Sequence, residues 1–117
     1  ALGLGSNLII RDGGVPGVVV RLGKAFATVE RLDATTVKSG GGASGILVSS
    51  TARDAGISGV EFLRSIPGTV GGFVRMNGGA YGREVKDVLV EADVVLRSGE
   101  VRTLSNAELG YSYRHSE

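Results

Sequence analysis

The chain has 117 residues, with 13 basic and 12 acidic side chains and a net charge of +1. This length suits one domain, and the charge balance gives no reason to expect a nucleic-acid partner or a membrane surface. With no cysteine and one histidine, disulfides, a thiolate nucleophile and a cysteine-based metal site are excluded, and we expect no bound metal. No apolar run approaches the ~18 residues of a membrane span, so a cytoplasmic protein without membrane insertion is expected. We also expect a monomer.

The first third of the chain is rich in β-branched residues and turn signals, which predicts short strands. An extended start at 1–5 leads to apolar runs at 8–10 and 17–22, separated by a Gly-Pro turn cluster. The alternation over 25–32 and the following 35–40 predict a hairpin.

Residues 43–55 change to a helical period. Leu47, Val48, Thr51, Ala52 and Ala55 fall on one face of a helix. Gly56 is a plausible residue to end it.

The last third predicts a second hairpin and a short helix. The runs 87–97 and 100–104 flank Ser98-Gly99, a two-residue hairpin signal. Ser105 and Glu108 have the spacing of a capping box, so a helix is expected to begin at 105. About six short strands with two or three helices indicate an α+β fold dominated by sheet.

The stretch 66–82, "IPGTVGGFVRMNGGAYG", contains six glycines in seventeen residues. Each glycine costs roughly 0.5–1 kcal/mol relative to alanine inside a regular element, so their number needs a reason. Either tight turns and close packing of backbone on backbone require them, or a ligand approaches the main chain more closely than a Cβ would allow.

A second glycine-rich segment, "GGGASG" at 40–45, has the spacing G-x-G-x-x-G and opens the predicted helix. A Rossmann dinucleotide site is rejected, because no apolar strand precedes Glu61, the residue at the position of the ribose-binding acid. Two interpretations remain open. The segment is a simple strand-to-helix turn, or it belongs to another nucleotide pocket in which the backbone N–H groups of Gly42 and Ala43 lie near a cofactor.

Another glycine-rich bend, "GLGSN" at 3–7, offers the side chains of Ser6 and Asn7 and consecutive backbone N–H groups. Such groups can bind phosphate oxygens without lysine, although a plain β-turn has the same pattern. Three glycine-rich bends in one short domain favour a ligand with a diphosphate and a flat ring, on which all three converge. No P-loop motif is present, which disfavours an NTPase.

Near the end, "YSYRHS" at 111–116 places an arginine among tyrosines. Arg114 could grip a planar carboxylate or a phosphate, or it could be a surface residue beside half-buried tyrosines. His115 is expected at the surface rather than in catalysis.

Three segments of this sequence closely resemble one enzyme family: "GLGSNLIIRDGGVPGVVV", the block from "GGGASG" to "MNGGAYGREV", and "LGYSYRHS". They resemble the UDP-N-acetylenolpyruvoylglucosamine reductases, also called UDP-N-acetylmuramate dehydrogenases or MurB, which are bacterial cell-wall enzymes. That family belongs to the flavin-binding superfamily of vanillyl-alcohol oxidase (VAO) and p-cresol methylhydroxylase (PCMH). The resemblance implies an α+β PCMH-type domain with a mixed or antiparallel sheet, flanking short helices and noncovalent FAD.

The resemblance also implies site residues. The family's pyrophosphate turn corresponds to Gly3, Gly5, Ser6 and Asn7. Its flavin-lining segments correspond to Ile66, Pro67, Gly68, Thr69, Gly71 and Gly72, and to Asn77, Gly78, Ala80 and Tyr81, with Gly79 where many relatives have alanine. The substrate-contacting pair corresponds to Tyr113 and Arg114, of which Arg114 is the catalytic arginine.

By resemblance, NADPH passes hydride to the flavin, and the reduced flavin passes it to the enolpyruvyl group of a UDP-sugar substrate. Arg114 is then suited to stabilise the enolate-like charge that develops. The family's proton-donating serine and a further catalytic glutamate would lie beyond Glu117, so neither Ser116 nor Glu117 is assigned those roles. The chain is expected to be the central part of the FAD-binding domain, inactive alone, without the start of the flavin subdomain and without the substrate domain.

Two alternatives remain. One is the FAD domain of another PCMH/VAO-type oxidase or dehydrogenase, disfavoured by "IPGTVGG" followed by "YR" and by the lack of a residue suited to covalent flavin attachment. The other is a non-catalytic nucleotide-binding module built on the same bends.

Overall fold

The computed structural model describes all residues from 1 to 117. It contains six short strands, β1 to β6 in chain order: Val29–Arg31, Val37–Ser39, Gly79–Ala80, Arg83–Glu84, Glu91–Val95 and Val101–Ser105. Two α-helices are present, α1 at Gly45–Asp54 and α2 at Val70–Arg75, with 3-10 turns at Lys24–Phe26, Glu61–Ser65, Val85–Asp87 and Ala107–Leu109. Neither α-helix has the length and apolar character needed to cross a bilayer.

The strands form three separate antiparallel hairpins, β1–β2, β3–β4 and β5–β6. Both hairpins predicted from the sequence are therefore present, and the α+β class with antiparallel pairs and short flanking helices is confirmed. The β5–β6 loop is longer than predicted. The Leu96 N–H donates to the Glu100 carbonyl at 2.9 Å and closes a three-residue loop, Arg97–Gly99. Gly99 lies at φ 88°, and three-residue loops with a residue at positive φ are the next most common hairpin connection after two-residue loops.

The strands predicted at 1–5, 8–10 and 17–22 are not formed. A strand needs a ladder partner, and the backbone bond from the Leu2 N–H to the Val20 carbonyl, at 2.8 Å, is the one that joins this region to itself across a distance. Residues 8–22 are instead irregular and exposed, and the Ile9 side chain is 99% exposed.

Helix α1, Gly45–Asp54, lies within the segment 43–55 that the helical period predicts, and it ends just before Gly56. The Ser44 hydroxyl accepts a hydrogen bond from the Leu47 N–H at 3.2 Å and caps the first turn. The N–H of Gly56 donates to the Arg53 carbonyl after the last turn. The buried face includes Val48 and Ala52, as predicted, whereas Leu47 is exposed.

The core is small and lies beneath α1 and α2. It consists of five buried side chains: Val48, Phe62, Leu63, Phe73 and Val85. The helix predicted at 105 is a single 3-10 turn, although its capping box is formed, since the Glu108 carboxylate accepts from the Ser105 N–H at 2.9 Å. The core matters for function because Phe73, from α2, joins it to the glycine-rich segment.

Candidate functional site

The first bend, residues 3–7, has backbone amides that the protein leaves unused. None of its five N–H groups donates a hydrogen bond to a protein acceptor. Gly5 lies at φ 74°, which bends the chain here. The Ser6 hydroxyl donates to the Pro67 carbonyl at 3.3 Å and links this bend to the third bend, residues 66–72. A run of free amides in a turn is a typical anion-binding feature.

The second bend, residues 40–45, is joined to the third bend by main-chain hydrogen bonds. The Gly71 N–H donates to the Gly41 carbonyl at 2.8 Å, and the Val70 N–H donates to the Ala43 carbonyl at 2.9 Å. Ser44 and Thr69 form an isolated β-bridge between them. The first turn of α2 is thus bound directly to the loop that precedes α1.

The first bend reaches the same place. A Cβ on Gly3 would lie 2.8 Å from the Thr69 hydroxyl oxygen, so the backbone of Gly3 packs directly against Thr69. Thr69 itself pairs with the second bend through Ser44. The three bends therefore meet at the start of α2, which is the arrangement that the sequence predicts.

Two adjacent glycines in α2 have different surroundings. A Cβ on Gly71 would lie 3.1 Å from the Gly41 carbonyl oxygen, which is tighter than ordinary packing. A Cβ on Gly72 would meet only the Thr69 hydroxyl, at 3.7 Å, and Gly72 is exposed. Backbone packing thus explains Gly71, whereas Gly72 presents open, side-chain-free main chain at the meeting point of the bends.

Phe73 connects the third bend to residues 77–82. A Cβ on Gly68, which lies at φ 138°, would be 2.9 Å from Cε1 of Phe73. A Cβ on Gly78 would be 3.3 Å from the Phe73 Cα. Both loops therefore pack against a buried core ring, which holds their backbones in fixed positions.

Backbone strain is concentrated in the predicted site. The non-glycine residues at positive φ are Asn77 at 45°, Tyr81 at 54° and Arg114 at 53°. Asparagine tolerates this region, but for tyrosine and arginine it costs roughly 1–2 kcal/mol. Such strain clusters at functional sites, and here it falls on the loop 77–82 and on the arginine singled out from the sequence.

Arg114 occupies a tight turn and reaches the loop 77–82. The turn is closed by bonds between Ser112 and His115, at 3.1 and 3.3 Å. The Arg114 guanidinium donates to the Gly79 carbonyl at 3.5 Å and lies 5.7 Å from the centroid of the Tyr113 ring. His115 and Tyr113 are exposed, which agrees with the expectation for His115.

The backbone N–H groups of Gly42 and Ala43, which one interpretation of the sequence placed near a cofactor, bond within the protein. The Gly42 N–H donates to the Phe26 carbonyl at 2.8 Å and the Ala43 N–H donates to the Gly40 carbonyl at 3.0 Å, so neither is free for a ligand. Phe26 and Leu22, which lies 3.3 Å from a Cβ placed on Gly41, were missed from the sequence. No periodicity signals a contact made by an irregular segment.

The predicted cofactor residues divide by exposure. Ala43, Asn77 and Gly78 are buried in the protein. The half-buried ones are Gly3, Gly5, Gly42, Ile66, Gly68, Thr69 and Ala80, and the exposed ones are Ser6, Asn7, Pro67, Gly71, Gly72 and Tyr81. The exposed members come mainly from the first and third bends, which places the accessible surface of the site there.

Tyr111 lies beside the Arg114 turn and packs against the core. Its hydroxyl is buried without a hydrogen-bond partner. Burial raises the pKa of Tyr111 to about 12, because the phenolate would lose its hydration. The phenol therefore stays neutral at physiological pH.

Comparison with known proteins identifies the family of the segment that contains all three bends. The FAD binding domain family matches residues 1–105. The chain belongs to this family. Its FAD-binding domain is 89% identical over 115 residues to the UDP-N-acetylenolpyruvoylglucosamine reductase of Rhizorhabdus wittichii, covering 98% of this chain and 38% of that protein. It is 83% identical over 117 residues to the Sphingopyxis alaskensis enzyme of the same name, covering 100% of this chain and 39% of that protein.

A solved structure shares both the fold and the sequence. The crystal structure of UDP-N-acetylenolpyruvylglucosamine reductase (MurB) from Thermus caldophilus matches with a TM-score of 0.75 and 38% identity, over 88% of this chain and 37% of that one. The resemblance noted from the motifs is thus confirmed. The chain spans less than two-fifths of the length of these relatives.

Proposed function

We propose that this FAD-binding domain is the flavin-holding part of a UDP-N-acetylenolpyruvoylglucosamine reductase. The whole enzyme would use NADPH to reduce the enolpyruvyl group of UDP-N-acetylglucosamine enolpyruvate to UDP-N-acetylmuramate, a cytoplasmic step in peptidoglycan precursor synthesis. Relatives with that name at 89% and 83% identity support the proposal. The observation that carries it is the meeting of the three bends at the start of α2.

The donor chemistry of these bends suits FAD. The five free N–H groups of residues 3–7 can bind the diphosphate oxygens. Gly72 has open main chain without a side chain and Pro67 is exposed, so a ring system could approach the backbone here. We assign Gly3, Gly5, Ser6 and Asn7 to the diphosphate, and 66–72 with 77–82 to the flavin.

When bound, FAD would supply hydride transfer between NADPH and the enolpyruvyl β-carbon. The chain's own contribution would be to place a cation beside the reacting group. Arg114 stands on a closed turn and makes one 3.5 Å hydrogen bond to the carbonyl of Gly79, where its guanidinium could stabilise the negative charge that develops on the substrate. Tyr113, exposed beside it, would contact the same substrate.

The proton donor and the rest of the substrate pocket would come from the remaining length of the protein. Relatives are more than twice as long as this chain, and we propose that residues 1–117 form the central part of the FAD-binding domain. Turnover by this segment alone is not expected.

The experiment is a purification of the full-length protein followed by two additions. It should be yellow, with flavin absorbance near ~450 nm, a general property of oxidised flavins. NADPH should bleach this band under anaerobic conditions, and UDP-N-acetylglucosamine enolpyruvate should restore it stoichiometrically.

Each alternative outcome contradicts the proposal in a recognisable way. A colourless protein that takes up no FAD would indicate the nucleotide-binding module. A yellow protein that NADPH bleaches, and that only oxygen restores, would indicate another oxidase or dehydrogenase of the superfamily.

A further inference from the structure

The turn that carries Arg114 is tied to the end of α2 by a buried serine. Ser116 is 2% exposed, and its hydroxyl donates to the Arg75 carbonyl at 2.8 Å. The Arg75 guanidinium donates to the Ser116 hydroxyl at 3.1 Å and also to the Ser116 carbonyl. The two residues are thus joined by bonds in both directions, across 41 positions of sequence.

A second tie holds the other side of the same turn. Asn77 is fully buried at 0% exposure, and its amide nitrogen donates to the Ser112 carbonyl at 3.0 Å. Its amide oxygen accepts from the Lys86 N–H at 3.0 Å. Ser112 precedes Arg114 and Ser116 follows it, so the turn is fixed at both ends.

Both ties originate from the C-terminus of α2. The helix ends in a Schellman motif, in which the Gly78 N–H donates to the Phe73 carbonyl at 2.8 Å and the Asn77 N–H donates to the Val74 carbonyl at 3.4 Å. The N-terminus of α2 meets the three bends. One rigid element of six residues therefore connects the bends to the arginine.

We infer that Ser116 is a positioning residue for Arg114, acting with Arg75 to fix the arginine relative to the bends. This inference rests on the proposed function. Arg114 lies at φ 53°, a conformation that the chain keeps only when its surroundings enforce it. Without the Ser116 tie the turn can relax, and a guanidinium displaced by about 1 Å can cost up to about 10²-fold in rate.

The inference also reassigns Asn77. Both polar atoms of its side chain are engaged by protein groups, and the residue has no exposed surface. Its side chain would therefore support the Arg114 turn rather than contact the flavin.

The test uses full-length protein loaded with FAD and compares Ser116→Ala with Ser112→Ala. Ser112 sits on the other side of Arg114, is exposed, and bonds only through its backbone, so its variant controls for loss of a serine hydroxyl from the turn. Stopped-flow measurements would separate reduction by NADPH from reoxidation by the enolpyruvyl substrate. We expect Ser116→Ala to slow reoxidation by at least about tenfold, while reduction and FAD affinity change less than about twofold.

Two further variants distinguish positioning from a general structural role. Ser116→Thr keeps the hydroxyl and should recover most of the reoxidation rate. In an Arg114→Ala background, Ser116→Ala should have less than about a twofold further effect, because residues that act through one another are not additive. Equal slowing of both half-reactions, or full additivity, would overturn the inference.

Amide hydrogen exchange makes the test independent of the reaction. In Ser116→Ala, the amides of Ser112 and His115, which close the turn, should exchange at least about tenfold faster, and in Ser112→Ala they should not. Unchanged protection in Ser116→Ala would show that the Ser116 hydroxyl does not hold the turn and would overturn the inference, whatever the enzyme does. Faster exchange in a protein that does not reduce the enolpyruvyl substrate would retain the tie, while contradicting both the proposed function and the role for Arg114.

Discussion

The backbone N–H of Gly71 donates to the carbonyl of Gly41 at 2.8 Å, and this bond joins two glycine-rich bends 30 positions apart. The close approach depends on the missing Cβ of Gly71, since a Cβ on Gly41 would make only an ordinary contact with the Gly71 Cα, at 3.8 Å. A Cβ on Gly71 would lie 3.1 Å from the Gly41 carbonyl oxygen. The geometry of the candidate FAD site therefore depends on main chain packing directly against main chain.

Gly71→Ala is expected to destabilise the FAD-free protein. The added methyl group presses on a backbone carbonyl that is itself fixed, and overpacking of this kind costs about 1–3 kcal/mol. Urea unfolding of the apoprotein measures the change in the free energy of unfolding.

Gly72→Ala is the matched control in the same helix. Its Cβ would meet only the Thr69 hydroxyl at 3.7 Å, and alanine is favoured over glycine in a helix by up to about 1 kcal/mol. The apoprotein should keep or gain stability, whereas FAD affinity should fall if the flavin lies against this surface. Equal stability of both apo variants would contradict the packing explanation.

Gly5→Ala is expected to weaken FAD binding by roughly tenfold. Gly5 lies at φ 74°, where an L side chain costs roughly 1–2 kcal/mol. Relaxation of the bend would then misplace the free amides of residues 3–7. Fluorescence titration of the apoprotein with FAD gives the dissociation constant.

The control for Gly5 is Gly14→Ala. Gly14 has nearly the same φ, 70°, with no atom within 4 Å of an added Cβ, and it lies outside the bends. It therefore carries the same backbone penalty without a site role. A similar loss of FAD affinity in both variants would show that destabilisation, rather than the first bend, is responsible.

These relationships were only partly predictable from the sequence. Helix α1 was predictable because its signals are local: the apolar period lies within the helix itself, and Gly56 lies next to its end. The meeting of the bends was predictable in outline, because several glycine-rich turns in one short domain favour a shared ligand. That Gly42 and Ala43 use their amides inside the protein was not, since the acceptor of the Gly42 amide is the carbonyl of Phe26, in an irregular segment.

The strands predicted at 8–10 and 17–22 are absent for a related reason, since a strand depends on a partner elsewhere in the chain. The runs 8–10 and 17–22 have strand composition, but composition does not supply a ladder partner, and their side chains stay exposed. The hydrogen bonds between Ser116 and Arg75 were also not predictable, because nothing in the sequence of a polar turn indicates that its serine is buried. Contacts across long stretches of sequence are the part that pattern analysis misses.

Arg114→Ala is expected to slow reoxidation of the reduced enzyme by substrate by about 10²–10³-fold, the usual cost of losing one preorganised charge-stabilising group. Its guanidinium makes a single long bond to the Gly79 carbonyl, so FAD affinity should change little. Rapid mixing measures both. Arg53→Ala is the control, since Arg53 forms only an exposed pair with Asp54. Loss of FAD affinity in step with the rate would contradict a role towards substrate.

Tyr111→Phe is expected to stabilise the protein by about 1 kcal/mol at neutral pH, because it removes a buried hydroxyl that lacks a partner. The folded pKa of Tyr111, about 12, lies above its ordinary value of 10.0. Folding therefore favours the neutral phenol over the phenolate. The resulting contribution to the free energy of unfolding is complete below pH 10 and is lost as pH rises towards 12, because the unfolded chain loses this proton first. Urea unfolding from pH 9 to 12 should show a steeper loss of stability for the parent than for Tyr111→Phe. A destabilised variant would show that the hydroxyl has a partner in the folded protein, and parallel pH profiles would show that burial does not raise its pKa.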